Sequence, residues 1–462
     1  MTIKRLFINT MGCQMNVYDS WQIQNRLAVE GYIPTSNMEQ ADIILVNTCS
    51  IRNKAEQKAF SFMGRLAPLK RCKPQLIIGI GGCVAQQDGH EILKRMPFVD
   101  LVFGTHAIGR LPRHIERICA TRCRVVDIEI SESISPNDFI LGPYPQSEVS
   151  AFVTIMRGCD NFCTYCVVPY VRGRESSRSA EDIVAEIRHL VSKGVREVTL
   201  LGQNVNSYGQ KEEIGSFSLL LEKVSDIDGL NRIRFTTSHP KDLSMELIQC
   251  YQYLEKLCHH IHLPVQSGSN FILKRMNRRY TRQDYADKVA ALRKVCPDIA
   301  ITTDIIVGFP GESQSDFLAT LDLLDQIKFD GIFAFIYSDR PNAPATHFNN
   351  KIEENEKKER LKKVLNHQEH ITLAKNQKMV GTVQQVLIDG INGQGMHSGV
   401  EKKDELQSRD IQWTGRTTTN RIVHLHEKLQ KASVNQMLTG QTLRIMIEEA
   451  LPHCLIGRCL SS

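Results

Sequence analysis

The sequence lacks every feature that marks a secreted or membrane protein. No apolar run approaches the roughly 18 residues that a membrane-spanning helix needs. The amino terminus, MTIKRLFINTMGCQ, has no long apolar core of the kind that signal peptides carry. Internal repeats and low-complexity tracts are also absent. We therefore expect a cytoplasmic protein that does not associate with membranes.

Positive and negative charges are nearly balanced in this sequence. The 57 Lys and Arg residues exceed the 51 Asp and Glu residues by a net charge of +6, which permits a polyanionic partner without demanding one. Apolar content of 42% and charged content of 23% are ordinary for a globular protein, and 462 residues suffice for about three domains. Cysteine is plentiful, with 14 residues. In a reducing compartment these are metal ligands or buried thiols rather than disulfides.

Short, almost wholly apolar runs alternate with helical patterns in the first part of the chain, as in parallel strands buried on both faces. The predicted strands are 4–10, 41–48, 75–82 and 99–104. They predict a small doubly wound α/β domain over residues 1–128. The proline- and serine-containing stretch 129–150 is interpreted as a linker.

A second strand–helix series predicts an open (βα)6 barrel over residues 151–377. Its candidate strands are 151–156, 196–202, 232–238, 259–265, 301–308 and 331–338. The charged helix 353–370 is interpreted as a solvated face, with a nucleic-acid contact as the less favoured reading. Beyond it, glycine-opened β-type runs predict a small antiparallel barrel over 378–450.

Cys159, Cys163 and Cys166 stand in CxxxCxxC spacing just after the first strand of the predicted barrel. The carboxyl ends of barrel strands are where such enzymes place their chemistry. Three thiolates hold three irons of a 4Fe–4S cluster and leave the fourth iron open to a small ligand, the sign of a catalytic rather than a structural site. The alternatives are structural zinc or unrelated thiols.

Cys13, Cys49 and Cys83 each follow a predicted strand of the first domain, directly or within three residues. Because parallel strands end at one edge of a sheet, the three side chains are expected to converge. The geometry suggests a second cluster with one iron free. Buried thiols are the alternative.

These motifs, with "GCDNFCTYC", "LLGQNVNSY", "RIRFTTSHP" and "HLPVQSGS", resemble the radical S-adenosylmethionine (SAM) methylthiotransferases over roughly residues 4–450. The resemblance implies an N-terminal cluster domain, a radical SAM barrel and a C-terminal TRAM domain that binds RNA. The wording "GCQMN" is closest to the MiaB-type branch, which modifies N6-prenylated adenosine in tRNA. One departure is "YSDRPNAPAT", where Asn342 replaces a usual glycine and puts the shape of that loop in question.

The resemblance also implies the reaction, methylthio transfer to carbon 2 of an N6-prenylated adenosine next to the anticodon. Two SAM molecules and two 4Fe–4S clusters are used: one SAM methylates sulfur held at the first cysteine set, and the second yields a 5′-deoxyadenosyl radical at the other. Methylthiolation of threonylcarbamoyl-adenosine or of a ribosomal-protein aspartate is the enzymatic alternative. An iron–sulfur RNA-binding redox sensor is the non-catalytic one.

Further site residues are predicted from their positions at strand ends and in motifs. Candidates for the SAM pocket, some of which could instead cap helices or pack, are Tyr165, Gln203, Asn204, Ser238 and Gln266. Candidates for SAM carboxylate or RNA phosphate, with a solvated role as the alternative, are Arg172, Arg174 and Arg178. Candidates for RNA contact elsewhere are Arg340, Lys378, Arg416 and Arg421. Expected partners are the tRNA and an electron-donating reductase or flavodoxin-like protein, and the expected state is a monomer.

Overall fold

The computed structural model describes residues 4–50, 53–131, 134–135, 138–144, 148–391, 413–425 and 438–460. Within them, no helix is both long enough and apolar enough to cross a membrane. The amino-terminal unit contains β1 (Lys4–Met11), α1 (Gln14–Val29), β2 (Tyr32–Pro34), β3 (Ile43–Thr48), α2 (Asn53–Cys72), β4 (Ile77–Gly82), α3 (Cys83–Asp88), α4 (His90–Arg95), β5 (Leu101–Phe103), α5 (Leu111–Thr121) and β6 (Val125–Asp127).

The six strands of this unit form one parallel sheet in the order β2-β1-β3-β4-β5-β6. Every residue of β3 and β4 is buried, because apolar clusters cover both faces of the sheet. The predicted doubly wound α/β fold is confirmed. The short strands β2 and β6 were not among the predicted strands.

The central unit contains β7 (Ser150–Thr154), β8 (Met156–Arg157), α6 (Val168–Val171), β9 (Ser176–Ser177), α7 (Ala180–Ser192), β10 (Glu197–Leu201), α8 (Phe217–Ser225), β11 (Arg232–Phe235), α9 (Met245–Tyr253), β12 (His260–His262), α10 (Asn270–Arg275), α11 (Arg282–Val295), β13 (Ala300–Val307), α12 (Gln314–Ile327), β14 (Gly331–Ile336) and α13 (Glu354–Gln377). Ser179 caps α7, since its hydroxyl accepts a hydrogen bond from the Asp182 amide.

Six parallel strands form the predicted open barrel in two three-stranded sheets, β7-β10-β11 and β12-β13-β14. A parallel bridge from Ile233 of β11 to Leu257, three residues before β12, lies between the two sheets. One apolar cluster runs through both sheets and the helices around them. The barrel is therefore a single packed body with strands ending at one mouth.

The last unit is a closed barrel of β15 (Val383–Ile391), β16 (Trp413–Thr417), β17 (Ile422–Leu425), β18 (Thr442–Ala450) and β19 (Leu455–Cys459), in the order β15-β16-β17-β19-β18. Its pairs are antiparallel as predicted, except that β17 and β19 run parallel. Because β19 completes the barrel, this unit extends beyond the predicted end at residue 450.

Candidate active site

The first cysteine triplet lies at the carboxyl edge of the amino-terminal sheet. Cys13, Cys49 and Cys83 follow β1, β3 and β4, which are neighbours in the sheet. Strand register aligns Met11 with Thr48 and Thr48 with Gly82, so the three cysteines leave the sheet at nearly the same level. The sequence-based prediction that they converge agrees with this placement.

Gly82 is required for that approach. Its φ of +88° is a conformation that side-chain-bearing residues rarely adopt, and a Cβ there would lie 2.2 Å from the Thr48 carbonyl oxygen. The chain turns at this glycine directly into α3, which begins at Cys83. A larger residue would push apart the two strand ends that present Cys49 and Cys83.

The electrostatic surroundings differ within the first triplet and favour negative sulfur at Cys13. A hydrogen bond with Cys49 lowers the pKa of Cys13 to about 6, against the effect of burial and with the help of the Arg172 charge. Burial raises the pKa of Cys83, and Arg172 acts in the opposite direction. Since thiolate is the form that ligates metals, Cys13 is the member of the triplet best prepared to bind one.

The second triplet occupies the loop after β8, at the mouth of the barrel. Cys163 is buried, and Cys159 and Cys166 are partly exposed. Burial raises the pKa of Cys159 to about 11 and that of Cys166 to about 12. These thiols are therefore neutral at pH 7 unless a cation binds them, because low polarity disfavours an isolated thiolate.

Two residues that sequence reasoning missed contact the second triplet. Arg278 is buried and donates hydrogen bonds to the Cys163 sulfur at 3.3 Å, the Tyr165 hydroxyl at 3.3 Å and the Pro264 carbonyl at 2.6 Å. His239 Nδ1 accepts from the Lys241 amide, and its Nε2 lies 3.9 Å from the same sulfur.

Burial lowers the pKa of His239, so its ring is neutral and the proton sits on Nε2, facing Cys163. A signal for His239 existed, since it directly follows Ser238 in "TTSHP". Arg278 lies 115 residues from Cys163 in a stretch without a recognised motif. No pattern in the sequence could have paired the two.

The predicted SAM-pocket residues divide into two groups. Gln203 accepts from the Gly158 amide at 2.5 Å, and Asn204 is buried while it donates to Asp242 at 2.7 Å. Both bonds brace loops around the second triplet. Ser238 Oγ and Gln266 Oε1, by contrast, are buried atoms without a hydrogen-bond partner among the described residues.

Unpartnered buried polar atoms are rare, so Ser238 and Gln266 fit a polar ligand in this mouth. Tyr165 packs beside an apolar cluster that includes Ile272 and Phe309, and its hydroxyl bonds to Arg278. That environment favours the packing role for Tyr165. Its contact with SAM stays a prediction.

Three nearby arginines have very different surroundings. Arg178 is buried and bonds to Glu186 at 2.7 Å and to the Thr154 carbonyl, so the structure gives it a structural role in place of the predicted ligand contact. Arg172 is also buried, and it faces the first triplet. Arg174 is exposed and pairs with Asp160 at 2.7 Å, beside the second triplet.

The two triplets are linked by one short stretch of chain. Cys83 forms an apolar cluster with Val167, which directly follows Cys166, and with Val171, the last residue of α6. The Thr105 hydroxyl donates to the Val171 carbonyl at 2.8 Å, which fastens the stretch to the amino-terminal unit. Helix α6 therefore lies between the two sites and contacts both domains.

The loop 339–344 completes the surroundings of the first triplet. Ala343 joins the cluster around Cys83, and Arg340 lines a cavity of about 260 Å³ together with Glu56 and Gln87. Asn342 takes a φ of +68°, a left-handed conformation that asparagine tolerates better than most residues. The loop therefore keeps the backbone shape for which glycine is the usual choice.

The predicted RNA-contact residues on the last unit differ in their exposure and in their partners. Lys378 is exposed, and Arg416 is partly exposed, with Asp389 at 3.6 Å and a hydrogen bond to the Asn420 side-chain oxygen at 3.3 Å. Arg421 pairs with Asp330 at 2.6 Å and donates to Asn376, so it joins the small barrel to the central unit. The structure leaves Lys378 and Arg416 available to a phosphate and gives Arg421 a structural role.

Comparison with known proteins matches two stretches of the chain to two different family models. Residues 5–104 match the family described as Uncharacterized protein family UPF0004, and residues 153–324 match the Radical SAM superfamily. A tRNA-2-methylthio-N(6)-dimethylallyladenosine synthase from Desulfosudis oleivorans is 53% identical over 455 residues, which cover 98% of this chain and 96% of that protein. The chain belongs to this synthase family.

A second synthase, from Syntrophus aciditrophicus, is 50% identical and covers 99% of this chain and 95% of its own length. The likeness to the synthases therefore includes the closed barrel, which lies beyond the last residue matched by either family model.

Among solved structures, the radical S-adenosylmethionine methyltransferase TsrM from Kitasatospora setae has a TM-score of 0.55 at 12% identity. That match covers 83% of this chain and 81% of that one. The likeness supports the fold that the synthases share with this chain.

Proposed function

We propose that this protein transfers a methylthio group to carbon 2 of an N6-prenylated adenosine next to the anticodon of tRNA. The observation that carries the proposal is the pair of cysteine triplets, each at the carboxyl edge of a parallel sheet and joined by the stretch 166–172. End-to-end likeness to the synthase family supports the choice of substrate.

The six cysteines fit two 4Fe–4S clusters, each with one iron free of protein. Cys13, Cys49 and Cys83 would hold one, and Cys159, Cys163 and Cys166 the other. Unpartnered Ser238 Oγ and Gln266 Oε1 mark the mouth as a place for a polar ligand such as SAM. When bound, these groups supply the one-electron chemistry that an unactivated aromatic carbon requires, because acid–base catalysis offers no route to it.

The protein's own residues hold and shield the two sites. Arg278 and His239 direct N–H groups toward the Cys163 sulfur, and both are buried, so water is kept from it. Gln203 fixes Gly158, the residue before Cys159. These contacts set the loop that presents the second triplet.

Around that loop, Asp160, Glu175, Glu212 and Asp242 form an acidic group. Burial raises the pKa of Glu175 to about 7, with the neighbouring carboxylates acting in the same direction. Arg174 pairs with Asp160 and Lys241 pairs with Asp242, so the charges around this loop largely cancel and do not attract phosphate. We infer that RNA phosphates are held on other surfaces, Lys378 and Arg416 among them.

The finer assignments are also part of the proposal. The domains are 1–128, 151–377 and the small barrel from 378, with the tRNA bound partly by the last. An electron-donating reductase or flavodoxin-like protein supplies electrons, and the protein acts as a cytoplasmic monomer. The sheet boundaries support this division, since β6 ends at Asp127, β7 starts at Ser150 and α13 ends at Gln377.

One anaerobic assay tests the function. Cluster-reconstituted protein is mixed with SAM, a reductant and tRNA that carries the prenyl but not the methylthio group, and digested nucleosides are read by mass spectrometry. We expect 2-methylthio-N6-prenyladenosine. Formation of 5′-deoxyadenosine without modified tRNA would contradict the substrate. Threonylcarbamoylated tRNA and the ribosomal-protein aspartate would then be tested as targets.

A further inference from the structure

Arg172 is a buried cation whose hydrogen-bonding capacity is only partly used. Its residue is 3% exposed, and its Nη2 pairs with Asp19 of α1 at 2.8 Å. Its Nη1 is buried and has no hydrogen-bond partner among the described residues. An unpaired N–H on a buried charge is costly, and the Cys83 thiol, toward which the guanidinium also acts as a hydrogen-bond donor, is only a weak acceptor.

The nearest candidates for that acceptor are sulfur atoms. The guanidinium acts electrostatically on both Cys13 and Cys83, and they in turn are among the groups that act on it. Arg157 and Asp19 are the other charged groups that face it, and the His106 ring donates from Nε2 to the backbone carbonyl of Arg172. The guanidinium therefore lies beside the thiols of the first triplet.

The chain keeps Arg172 in place from both sides. It follows α6, and its amide donates to the Val168 carbonyl at 2.8 Å. His106 of the amino-terminal unit bonds to its carbonyl at 3.0 Å. A residue of the central unit is thus fixed inside the cysteine site of another unit.

We infer that Arg172 is a positioning residue for the cluster at Cys13, Cys49 and Cys83. Its guanidinium supplies that cluster with a positive charge and with an N–H donor to sulfur. The inference rests on the proposed function, because it takes a cluster at those cysteines as given. Positive charge and hydrogen bonds to sulfur stabilise the reduced, more negative state of an iron–sulfur cluster and so raise its reduction potential.

The test measures the reduction potential of that cluster alone. Full-length protein with Cys159, Cys163 and Cys166 changed to Ala is reconstituted anaerobically, and the remaining cluster is titrated under electron paramagnetic resonance. In this background Arg172→Gln should shift the potential to more negative values by at least 59 mV, which is tenfold in a one-electron equilibrium constant. Asp19→Asn removes the opposing charge and should shift it to more positive values.

Lys70→Gln is the matched control. It also removes one cation from an ion pair, with Asp100 at 2.7 Å, but that pair lies at the opposite edge of the same sheet. We expect it to lower the midpoint of thermal unfolding and leave the potential unchanged. A merely structural Arg172 would behave in the same way, and an unchanged potential in Arg172→Gln overturns the inference.

Either single variant leaves a buried charge unpaired and could fail to fold. The double variant Asp19→Asn with Arg172→Met removes both charges together with the N–H donor, so it keeps the fold accessible. A potential below that of the parent, from the lost N–H donor, supports the inference, and an equal potential overturns it. If the parent with only the first triplet takes up no iron, the proposed cluster itself is wrong, which is a separate outcome.

Discussion

At the scale of single residues, the two triplets should be separable by function. Cys159→Ala is expected to abolish 5′-deoxyadenosine formation from SAM, because it removes a ligand of the cluster at the barrel mouth. Cys83→Ala should leave SAM cleavage in place and stop methylthio transfer, since only the first triplet is damaged. Product analysis after anaerobic reconstitution measures both.

Cys72→Ala is the control for that pair, because Cys72 is exposed and lies at the end of α2, outside both triplets. It should behave like the unchanged protein. Methylthiolated product from Cys83→Ala at the normal level would show that the first triplet holds no cluster needed for the reaction.

Arg278→Gln tests the contacts behind Cys163. The change removes a charged hydrogen bond to the sulfur and the 2.6 Å hydrogen bond to the Pro264 carbonyl. Hydrogen bonds of charged groups contribute about 1.5–3 kcal/mol, so SAM cleavage should fall roughly ten- to a hundredfold. The neighbouring exposed Arg279, changed to Gln, should have little effect; equal losses in both variants would exclude a specific role for Arg278.

Much of the site was predictable because cysteine spacing and strand ends are local signals. The roles of Arg172 and Arg178 were not, because their partners are remote: Asp19 lies 153 residues from Arg172, and the aromatic ring of Phe139 lies over Arg178 at 3.7 Å. A polar motif beside a cysteine loop looks the same whether its arginines face solvent or another domain. Only the packing of the two units distinguishes them.

At the scale of elements, α13 shows how a charged helix is held. The predicted solvated face exists, but Arg360 is buried and bonds to the Glu312 carboxylate at 2.5 Å and to its carbonyl. Arg360→Ala leaves Glu312 buried without its cation and should lower the free energy of unfolding by about 3–5 kcal/mol. Urea denaturation measures this.

Lys358→Ala, at an exposed position of the same helix, is the matched control and should change stability by less than about 0.5 kcal/mol. Similar losses for the two variants would mean that α13 docks without help from the buried pair.

Long apolar strands were predicted almost to the residue, as for β1, whose predicted end at residue 10 is one short of Met11. The predicted strand 259–265 was too long. Only His260–His262 pair with β13, and the Val265 amide then bonds to the Thr303 hydroxyl instead of a strand partner. The parallel pairing of β17 with β19 was also missed, because nothing local in either strand specifies its neighbour.

At the scale of the whole molecule, the small barrel is fastened to the central unit through arginines. Arg232 and Arg234 donate to the carbonyls of Arg416 and Thr417. Asp389 lies in the same region, and burial raises its pKa to about 6 from an ordinary value of 3.8. The folded protein therefore holds a proton at Asp389 between these pH values when the unfolded chain does not.

Stability should consequently fall as pH rises through about 6, by at most about 3 kcal/mol from this residue. Asp389→Asn removes the titrating group and should flatten that part of the profile. Urea unfolding of the metal-free protein at several pH values measures the difference between the two. An identical slope in both proteins would contradict the assigned burial.

The salt dependence of tRNA binding distinguishes the predicted RNA-contact residues from one another. Lys378→Ala and Arg416→Ala should each weaken tRNA binding and reduce the slope of log affinity against log salt by about 0.7–0.9, the value for one phosphate. Arg421→Ala should lower the unfolding midpoint and leave that slope unchanged, because Arg421 is paired with Asp330. An equal reduction of this slope by Arg421→Ala would show that Arg421 also contacts an RNA phosphate.

The position of Arg172 also has a consequence for biogenesis. The ribosome completes the first sheet and its three cysteines well before the central unit, and amino-terminal domains fold first. Arg172 follows Cys83 by 89 positions, a delay of roughly 4–18 seconds at bacterial-type elongation rates of about 5–20 residues per second. A nascent chain thus displays three converged thiols before their cation arrives, and metal delivered in that interval meets an unfinished site.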